Sequence, residues 1–368
     1  MVPRICDLVL LFEVSCRYMK KGKTTRPGIR EVAKESGYSI TTVSMALNDS
    51  GRVNKETRKY IIEIANRLGY TPNAAGKALK SQRSENIGLL FYPSCAELFS
   101  NAFYVPVLGG IEEVLNAEGY NLLVASGRLL DGTVRLPKFV RENAVDGIVL
   151  LGQIPHTYVR AIYDTGIPAV LIDEEFDDPP MDVVCSDGYN GACAAVEHLI
   201  DRGHRHIGML TTYEETTSTQ WRFAGYKAAL HRRGIAINEA YVFRDTYDMQ
   251  GTRRSADRIA QSGLPITALF TVNDSGAIDA LPVFGKHGIR VPEDLSIVGF
   301  DDVERAQFTS PPLTTMGVDK AGMGRLGAQA LLSRIENPDR LPQRSIMSVT
   351  LIERESVVAI EKTERVSA

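Results

Sequence analysis

The chain has 368 residues, of which 44% are hydrophobic and 24% are charged, and its formal net charge is −3. This composition is ordinary for a globular protein that folds in water, and it excludes fibrous and low-complexity chains. The five cysteines lie at scattered positions without a Cys-x-x-Cys pair, so neither a disulfide framework nor a zinc site is indicated.

The N-terminal segment contains a short apolar run, residues 8–12, between Asp7 and Glu13. This run is too short for the core of a signal peptide or for a membrane span, so we expect a cytoplasmic protein. Met19 opens MKKGKTTRPGIREVA directly ahead of the first predicted helix. We therefore interpret residues 1–26 as an extension that is disordered or that results from a misassigned start, which the intact mass of the natively expressed protein would test.

The next region, residues 27–72, is predicted to form three short helices. The first lies in GIREVAKESG, and the second, in GYSITTVSMALNDSG, has Ser39 as a suitable N-cap after a turn at Gly37. Two short helices joined by a tight turn are typical of a helix-turn-helix. On the second helix Val43, Ala46 and Leu47 share the apolar face. The third helix, in NKETRKYIIEIANRLGY, has a predicted buried stripe of Tyr60, Ile61, Ile64, Ala65 and Leu68.

Charge separates this region from the rest of the chain. Residues 19–84 contain 14 Lys and Arg against 5 Asp and Glu, a balance of +9, whereas residues 85–368 contain 26 against 38, a balance of −12. A basic segment suits a polyanion such as nucleic acid. Three short helices could also form a generic cluster without a partner, and the charge favours DNA binding over that alternative.

Residues 73–84 follow as a predicted hinge helix and polar linker. Asn73 can cap one or two helical turns in AAGKALK, but Gly76 makes so short a helix marginal in isolation. The segment is therefore either an ordinary linker or a helix that folds only against DNA.

From residue 87 onward, apolar strands alternate with amphipathic helices, for example at 106–118, 189–202, 220–233 and 274–287. This alternation predicts parallel sheets with helices on both faces, and the number of units predicts two lobes. Ligands of such folds bind at the carboxyl ends of the strands. No phosphate loop, dinucleotide fingerprint, metalloprotease motif or nucleophile elbow is present, so neither an enzyme nor a cofactor is indicated.

The ordered motifs between residues 29 and 356 resemble the lactose-repressor/galactose-repressor (LacI/GalR) family of bacterial transcription regulators. The resemblance rests on REVAKESGYSITTVSMALN, VNKETRKYIIEIANRLGYTPNAAGKAL, VDGIVLLG, GIPAVLID, EHLIDRGHRHIGML, TALFTVNDSGAIDAL and VPEDLSIVGFDD. It implies a helix-turn-helix head, a hinge helix and an α/β two-lobed core of parallel doubly wound sheets, like that of periplasmic sugar-binding proteins. It also implies a homodimer that binds double-stranded operator DNA and a sugar-like effector, without catalysis, cofactor or metal.

The resemblance also implies a division of the chain. The predicted parts are the extension 1–26, the helix-turn-helix domain 27–72, the hinge and linker 73–84, the core 85–361 and the tail 362–368. Lobe 1 would contain about 85–186 and 312–342, and lobe 2 about 187–311 and 343–361. The chain would then cross between the lobes near residues 185–187, 310–312 and 341–345.

Candidate DNA contacts come from the second helix and the hinge. The resemblance places base contacts at the start of the helix and places a minor-groove wedge at Leu79. Met45 stands where many members have arginine, which indicates a half-site without a strong guanine requirement at that base pair. The candidate contacts are Ile40, Thr41, Thr42, Ser44, Met45, Asn48, Lys77 and Leu79.

Candidate effector contacts follow strands or lie in the first turns of helices. Arg222 in RFAGY would bind ligand hydroxyls or carboxylates, and an aromatic ring of SNAFY would stack on the ligand. Each residue could instead cap a loop. The candidates are Phe103, Tyr104, Asp187, Arg222, Asn273, Asp274 and Asp301.

Two other classes of protein share this core fold. One is a sugar-binding protein of a transport system, which the basic N-terminal region and the missing export signal disfavour. The other is a sugar- or nucleotide-handling enzyme, for which the sequence offers no nucleophile–base arrangement.

Overall fold

The computed structural model describes residues 27–48, 51–70, 83–92, 94–130, 133–213, 216–246 and 248–360. The chain divides into two compact units, residues 1–84 and residues 85–368. Within the described ranges no helix is long and apolar enough to cross a membrane. The extension 1–26, the hinge with Gly76, Lys77 and Leu79, and the tail 362–368 lie outside the described residues.

Three helices build the described part of the first unit. Gly37, at φ 73°, ends the first helix in the left-handed conformation that favours glycine. The Ser39 hydroxyl accepts a hydrogen bond from the Thr42 N–H at 3.1 Å and caps the second helix, as predicted. Asn54 caps the third helix in the same way, accepting from the Thr57 N–H at 2.7 Å. The helices are α1 (Ile29–Ser36), α2 (Ile40–Leu47) and α3 (Lys55–Leu68).

The core of the first unit is small. Its buried side chains come from the predicted apolar faces of all three helices, but Tyr60 is 48% exposed and does not belong to it, contrary to the prediction. Because Ile61, Ile64 and Ala65 already fill the space between the helices, Tyr60 lies at the margin, where its ring meets the edge of Tyr38. The buried core residues are Val32, Ala33, Val43, Ala46, Ile61, Ile64 and Ala65.

Two parallel sheets form the second unit, in agreement with the predicted doubly wound two-lobed fold. The six-stranded sheet has the order β13-β7-β6-β5-β1-β2, and the four-stranded sheet has the order β11-β10-β8-β9. The inner strands are buried on both faces, as the apolar segment GIVLL of β5 illustrates. The strands are β1 (Asn86–Phe91), β2 (Asn121–Ser126), β3 (Arg128–Leu130), β4 (Thr133–Arg135), β5 (Gly147–Leu151), β6 (Ala169–Ile172), β7 (Asp182–Ser186), β8 (Ile207–Thr212), β9 (Val242–Asp245), β10 (Ala268–Thr271), β11 (Ser296–Val298), β12 (Thr315–Gly317), β13 (Arg344–Met347) and β14 (Thr350–Ile352).

Helices cover the faces of both sheets. Two of them, α5 and α12, approach so closely that a Cβ atom on Gly110 would lie 2.0 Å from the Ala321 carbonyl oxygen. Only glycine permits this backbone contact. The helices are α4 (Cys95–Ser100), α5 (Tyr104–Ala117), α6 (Lys138–Arg141), α7 (His156–Tyr163), α8 (Gly188–Asp201), α9 (Thr217–Arg232), α10 (Met249–Gln261), α11 (Asp274–Lys286) and α12 (Lys320–Glu336).

The chain passes between the two sheets three times. The first passage follows β7, near the predicted residues 185–187. The second comes after β12 rather than at 310–312, because residues 312–317 run along the four-stranded sheet, where the Gly299 N–H donates to the Thr314 carbonyl at 2.9 Å. The third follows β13 rather than falling at 341–345, because β13 pairs with β7 at the edge of the six-stranded sheet. Residues 312–317 therefore belong to lobe 2, and residues 344–347 to lobe 1.

Candidate functional site

Helix α2 presents an uncharged polar surface. Val43 and Ala46 are buried against the other helices, while Ile40 is 47% exposed. The Asn48 amide donates to the Ser44 carbonyl at 2.8 Å and extends the polar surface by one residue. Six predicted DNA contacts occupy the side of the helix that the core leaves exposed or half-buried, namely Ile40, Thr41, Thr42, Ser44, Met45 and Asn48.

Basic side chains surround this surface on α1, on α3 and in the loop before α3. One of them has an additional structural contact, because the Arg58 Nε donates to the Ala46 carbonyl at 3.2 Å and ties α3 to the last turn of α2. A cation at this position also complements the negative end of the α2 dipole. Five other basic side chains in these segments are exposed, namely Arg30, Lys34, Arg52, Lys55 and Lys59.

A cleft lies between the two lobes of the second unit, at the carboxyl ends of their strands. Its free volume is about 30 Å³, enough for one or two water molecules. Lobe 1 contributes Asn101, Phe103, Tyr104, Gln153 and Asp173, and lobe 2 contributes Ser218, Thr219, Arg222, Val272, Asn273 and Asp301.

Arg222 is the cation of the cleft. Its side chain is 5% exposed, and it donates to the Val272 carbonyl at 2.6 Å and to the Asp301 carboxylate at 3.0 Å. Its guanidinium lies 3.8 Å from the centre of the Phe300 ring. The buried Nε has no hydrogen-bond partner among the described residues. A buried donor without a partner is costly, so an acceptor that reached this atom would stabilise the site.

Asp173 faces Arg222 from lobe 1, and the sequence analysis missed it. Its carboxylate accepts a hydrogen bond from the Tyr104 hydroxyl at 2.9 Å. Burial, helped by the nearby carboxylates of Asp301 and Glu174, raises the pKa of Asp173 to about 7 against the opposing effects of Arg222 and Tyr104. Asp173 also adopts φ 66°, a strained conformation that is often found at functional sites. Its position directly after β6 was the signal that could have identified it.

Four polar residues of the cleft were also missed. Gln153 follows β5, and Asn101 lies between α4 and α5, where its side-chain oxygen accepts from the Phe103 N–H at 2.8 Å. Ser218 and Thr219 lie in the first turn of α9, one turn before Arg222, so the same helix face carries all three. The helical spacing from Arg222 was the available signal for the two hydroxyl residues.

Of the seven predicted effector contacts, the structure brings five to the cleft and leaves two outside its lining. Asp274 has no exposed surface, and its carboxylate accepts from the Val303 N–H at 2.9 Å and from the Thr315 hydroxyl. Burial raises the pKa of Asp274 to about 8. Asp187 caps α8 by accepting from the Asn190 N–H at 3.0 Å. Both residues therefore lie outside the cleft lining, with carboxylates that accept hydrogen bonds from within the chain.

The loop that carries Asp173 also holds the lobes together. Glu174 accepts from the Thr217 N–H at 3.2 Å and from its hydroxyl, so a lobe 1 carboxylate binds the first residue of α9 in lobe 2. Glu175 pairs with Arg344 at 2.9 Å, and the guanidinium of Arg344 lies 4.8 Å from the centre of the Trp221 ring. The segment that places Asp173 in the cleft therefore also contacts lobe 2.

The chemistry available in the cleft is hydrogen bonding and stacking. Among the described residues no group of three or more His, Cys, Asp or Glu side chains could hold a metal ion. Hydroxyl, amide, carboxylate and guanidinium groups offer both donors and acceptors, beside the rings of Phe103 and Tyr104. Such a site suits a small polar ligand with many hydroxyl groups.

Two family models match the chain. The model for bacterial regulatory proteins of the lacI family matches residues 28–73, and the periplasmic binding protein-like domain matches residues 196–357. The probable HTH-type transcriptional repressor ExuR of Bacillus subtilis is 34% identical over 331 residues, which is 89% of this chain and 98% of that protein. The ribose operon repressor of Haemophilus influenzae is 30% identical over 334 residues, covering 90% and 99%.

Solved structures show the same fold. The transcriptional regulator CelR in complex with cellobiose aligns with a TM-score of 0.68 at 27% identity, over 90% of this chain and 100% of that one. The lac repressor dimer bound to operator and the anti-inducer ONPF aligns with a TM-score of 0.77 at 23% identity, over 89% and 98%. The second match supports the fold alone.

Proposed function

The chain belongs to the lacI family of bacterial regulatory proteins, and on that basis we propose that it is a transcriptional repressor controlled by a small effector. Its helix-turn-helix unit binds double-stranded operator DNA, and its second unit binds the effector between two lobes. The function is binding rather than catalysis, as the names of the related repressors indicate. A repressor that acts on the chromosome works in the cytoplasm.

The observation that carries the DNA-binding role is the surface of α2. Short uncharged side chains can approach base edges closely, while the surrounding basic residues bind phosphates. We assign base reading to Ile40, Thr41 and Met45, and mixed base and phosphate contacts to Thr42, Ser44 and Asn48. Ile40 can meet a thymine methyl group, because its side chain is 47% exposed at the start of the helix. Met45 has no donor for guanine but can pack on an apolar base edge.

The effector is a sugar or a sugar derivative. Hydroxyl groups both donate and accept, and the cleft offers Arg222 as a donor beside the acceptors Asp173 and Asp301. Phe103 and Tyr104 supply aromatic rings for the apolar face of a sugar. Two similar proteins support this class: the name of the ribose operon repressor refers to a sugar operon, and CelR was solved with cellobiose.

The functional assembly that we propose is a homodimer. One helix-turn-helix unit reads only one half-site, and two-fold symmetric operators require two such units. The alternative, a sugar-binding protein of a transport system, leaves the basic helix-turn-helix unit without a role.

Binding to selected DNA tests the proposal directly. An operator would be selected from randomised duplexes with the full-length protein, and its affinity would then be measured at increasing salt. We expect a steep loss of affinity with salt, because Lys and Arg side chains release counterions from phosphates. A sugar panel would next be screened for ligands that change this affinity. Equal binding to selected and scrambled duplexes would reject the regulatory function.

A further inference from the structure

The charges around the cleft limit which sugars can enter it. This inference rests on the proposed function and concerns the chemical class of the effector. The cleft adjoins a second cavity of about 110 Å³, and the two share Asn101, Val272 and Asn273. Together they are lined by one cation, Arg222, and by four carboxylates among the described residues, namely Asp173, Asp248, Asp279 and Asp301.

The single cation already has a negative partner. Arg222 forms an ion pair with Asp301 at 3.0 Å, in which the two side chains are only 5% and 10% exposed. Its charge is therefore balanced before any ligand arrives. The Nε atom still lacks a partner within the described structure, so it can donate one hydrogen bond to a ligand oxygen. One neutral oxygen satisfies this donor, whereas a carboxylate would bring a negative charge to a guanidinium that Asp301 already neutralises.

Two cations near the Arg222–Asp301 pair have partners of their own. The Lys320 ammonium group donates to the carbonyl oxygens of Asp301, Asp302 and Val318 at 2.5, 2.9 and 3.2 Å. A lysine has three N–H donors, so these contacts use all of them. Arg354 pairs with Asp302 at 2.7 Å, with the two side chains 19% and 30% exposed. Neither cation is available to receive an anionic ligand.

Asp173 places a carboxylate opposite this balanced pair. One of its oxygens accepts from Tyr104, and the side chain is buried in the wall of the cleft. A sugar hydroxyl could donate to the other oxygen. A ligand carboxylate or phosphate carries acceptors only, so it would repel Asp173 and leave that oxygen unsatisfied.

We propose that Asp173 acts as a charge filter that admits uncharged, hydroxyl-bearing sugars to the cleft and excludes sugar acids and sugar phosphates. Sites that hydrogen-bond a ligand hydroxyl discriminate strongly against analogues that leave their buried polar groups unpaired. The Asp301–Arg222 pair supports the filter by neutralising Arg222, the one cation among the described residues that line the cleft.

Matched pairs of ligands test the filter on the full-length protein. The probes are galactose and galacturonate, glucose and glucuronate, and ribose and ribose 5-phosphate. Affinities would be measured by calorimetry at about pH 8, because burial raises the pKa of Asp173 to about 7 and the carboxyl is then mostly ionised. We expect at least tenfold tighter binding of the neutral sugar in every pair that binds.

The substitution Asp173→Asn keeps the size of the side chain and removes the charge. It should shift the ratio of affinities by at least tenfold toward the acid, which corresponds to about 1.4 kcal/mol. Asp319→Asn is the matched control, because Asp319 caps α12 with its side chain 61% exposed and asparagine also caps helices well. The control should leave the ratio unchanged. Asp301→Asn is a second variant, which frees Arg222 and should shift the ratio in the same direction.

The outcomes separate the filter from the proposed function. A wild-type protein that binds an acid more tightly than its neutral partner would overturn the filter while leaving a sugar effector intact. An unchanged ratio in a folded Asp173→Asn protein would also overturn it. Absence of binding by every probe, neutral or acidic, would contradict the sugar effector itself and the filter with it.

Discussion

On α2 the side chains proposed to contact DNA are uncharged and at least partly exposed, whereas the cleft contains charged side chains that are buried. The Arg222–Asp301 pair of the cleft is almost inaccessible to solvent. DNA is itself highly charged, so exposed Lys and Arg residues suffice for affinity and α2 only has to read bases. A small neutral ligand offers no charge, so the cleft must arrange its own donors and acceptors before binding.

Because of this difference, the two surfaces are sensitive to different kinds of substitution. DNA binding requires little desolvation of the α2 surface. It depends more on the small core that holds the helix in place. In the cleft the charged side chains are buried. Removing one partner of an ion pair there leaves the other charge uncompensated and destabilises the second unit. Substitutions in the two regions should therefore fail in different ways.

The largest effect is expected for Arg222→Ala. Removing one partner of a buried ion pair leaves the other charge uncompensated, and the second unit should lose about 3–5 kcal/mol of unfolding free energy. The response to the effector should disappear, while the helix-turn-helix unit remains folded. Thermal unfolding and operator binding with and without effector measure both results.

A matched control for Arg222→Ala is Arg290→Ala. Arg290 pairs with Asp294 at 2.7 Å, but its side chain is 69% exposed. Loss of this exposed pair should leave unfolding and effector response nearly unchanged. If Arg222→Ala and Arg290→Ala lowered the free energy of unfolding by similar amounts, burial would not explain how much each ion pair contributes to stability.

The next effect concerns the core beneath α2. Ile61→Ala removes a side chain with no exposed surface and should destabilise the first unit by about 2–5 kcal/mol. A core of this size has little reserve, so DNA binding should be lost. Ligand-induced stabilisation of the second unit should persist. Ile62→Ala, at a half-buried neighbouring position, is the control and should retain DNA binding.

Met45→Arg should alter sequence preference rather than stability. Arginine can donate two hydrogen bonds to guanine, which is worth about 1–3 kcal/mol of discrimination. Selection from randomised operators should therefore yield a new guanine in each half-site, with the other positions little changed. Identical sequences selected by both proteins would remove Met45 from the base-reading surface.

The smallest effect is expected for Ser39→Ala. The Ser39 hydroxyl accepts from the Thr42 N–H at 3.1 Å, and loss of this cap should cost about 1 kcal/mol. Operator affinity should fall modestly. Ser39→Asn, which keeps an accepting oxygen, should restore most of the stability in thermal unfolding. A fully stable Ser39→Ala protein would show that the cap is dispensable.

The three described helices of the first unit could be predicted almost completely from the sequence. Its caps at Ser39 and Asn54 and its apolar faces are local patterns, and such patterns determine which side of a short helix is buried. Tyr60 was the exception, because apolar spacing alone cannot show that neighbouring residues already fill the available space.

The cleft was predictable only in part. The resemblance predicted Arg222 and Asp301, which line the cleft, but it also predicted Asp274 as an effector contact. Asp274 instead accepts a hydrogen bond from Thr315, 41 residues away, which no local pattern reveals. Asp173 was missed although it follows a strand, because many residues follow strands and only the folded chain brings this one opposite Arg222. Hydrogen bonds between residues that are far apart in the sequence therefore decide which polar side chains remain available to a ligand.

One titration tests the central claim most directly. The full-length protein would be titrated onto its selected operator and onto a scrambled duplex at physiological salt, with and without the neutral sugar that binds the cleft. We predict at least about 10³-fold tighter binding to the operator, and a change in that affinity when the sugar is added. Equal affinity for both duplexes, unaltered by a sugar that binds the cleft, would contradict the account.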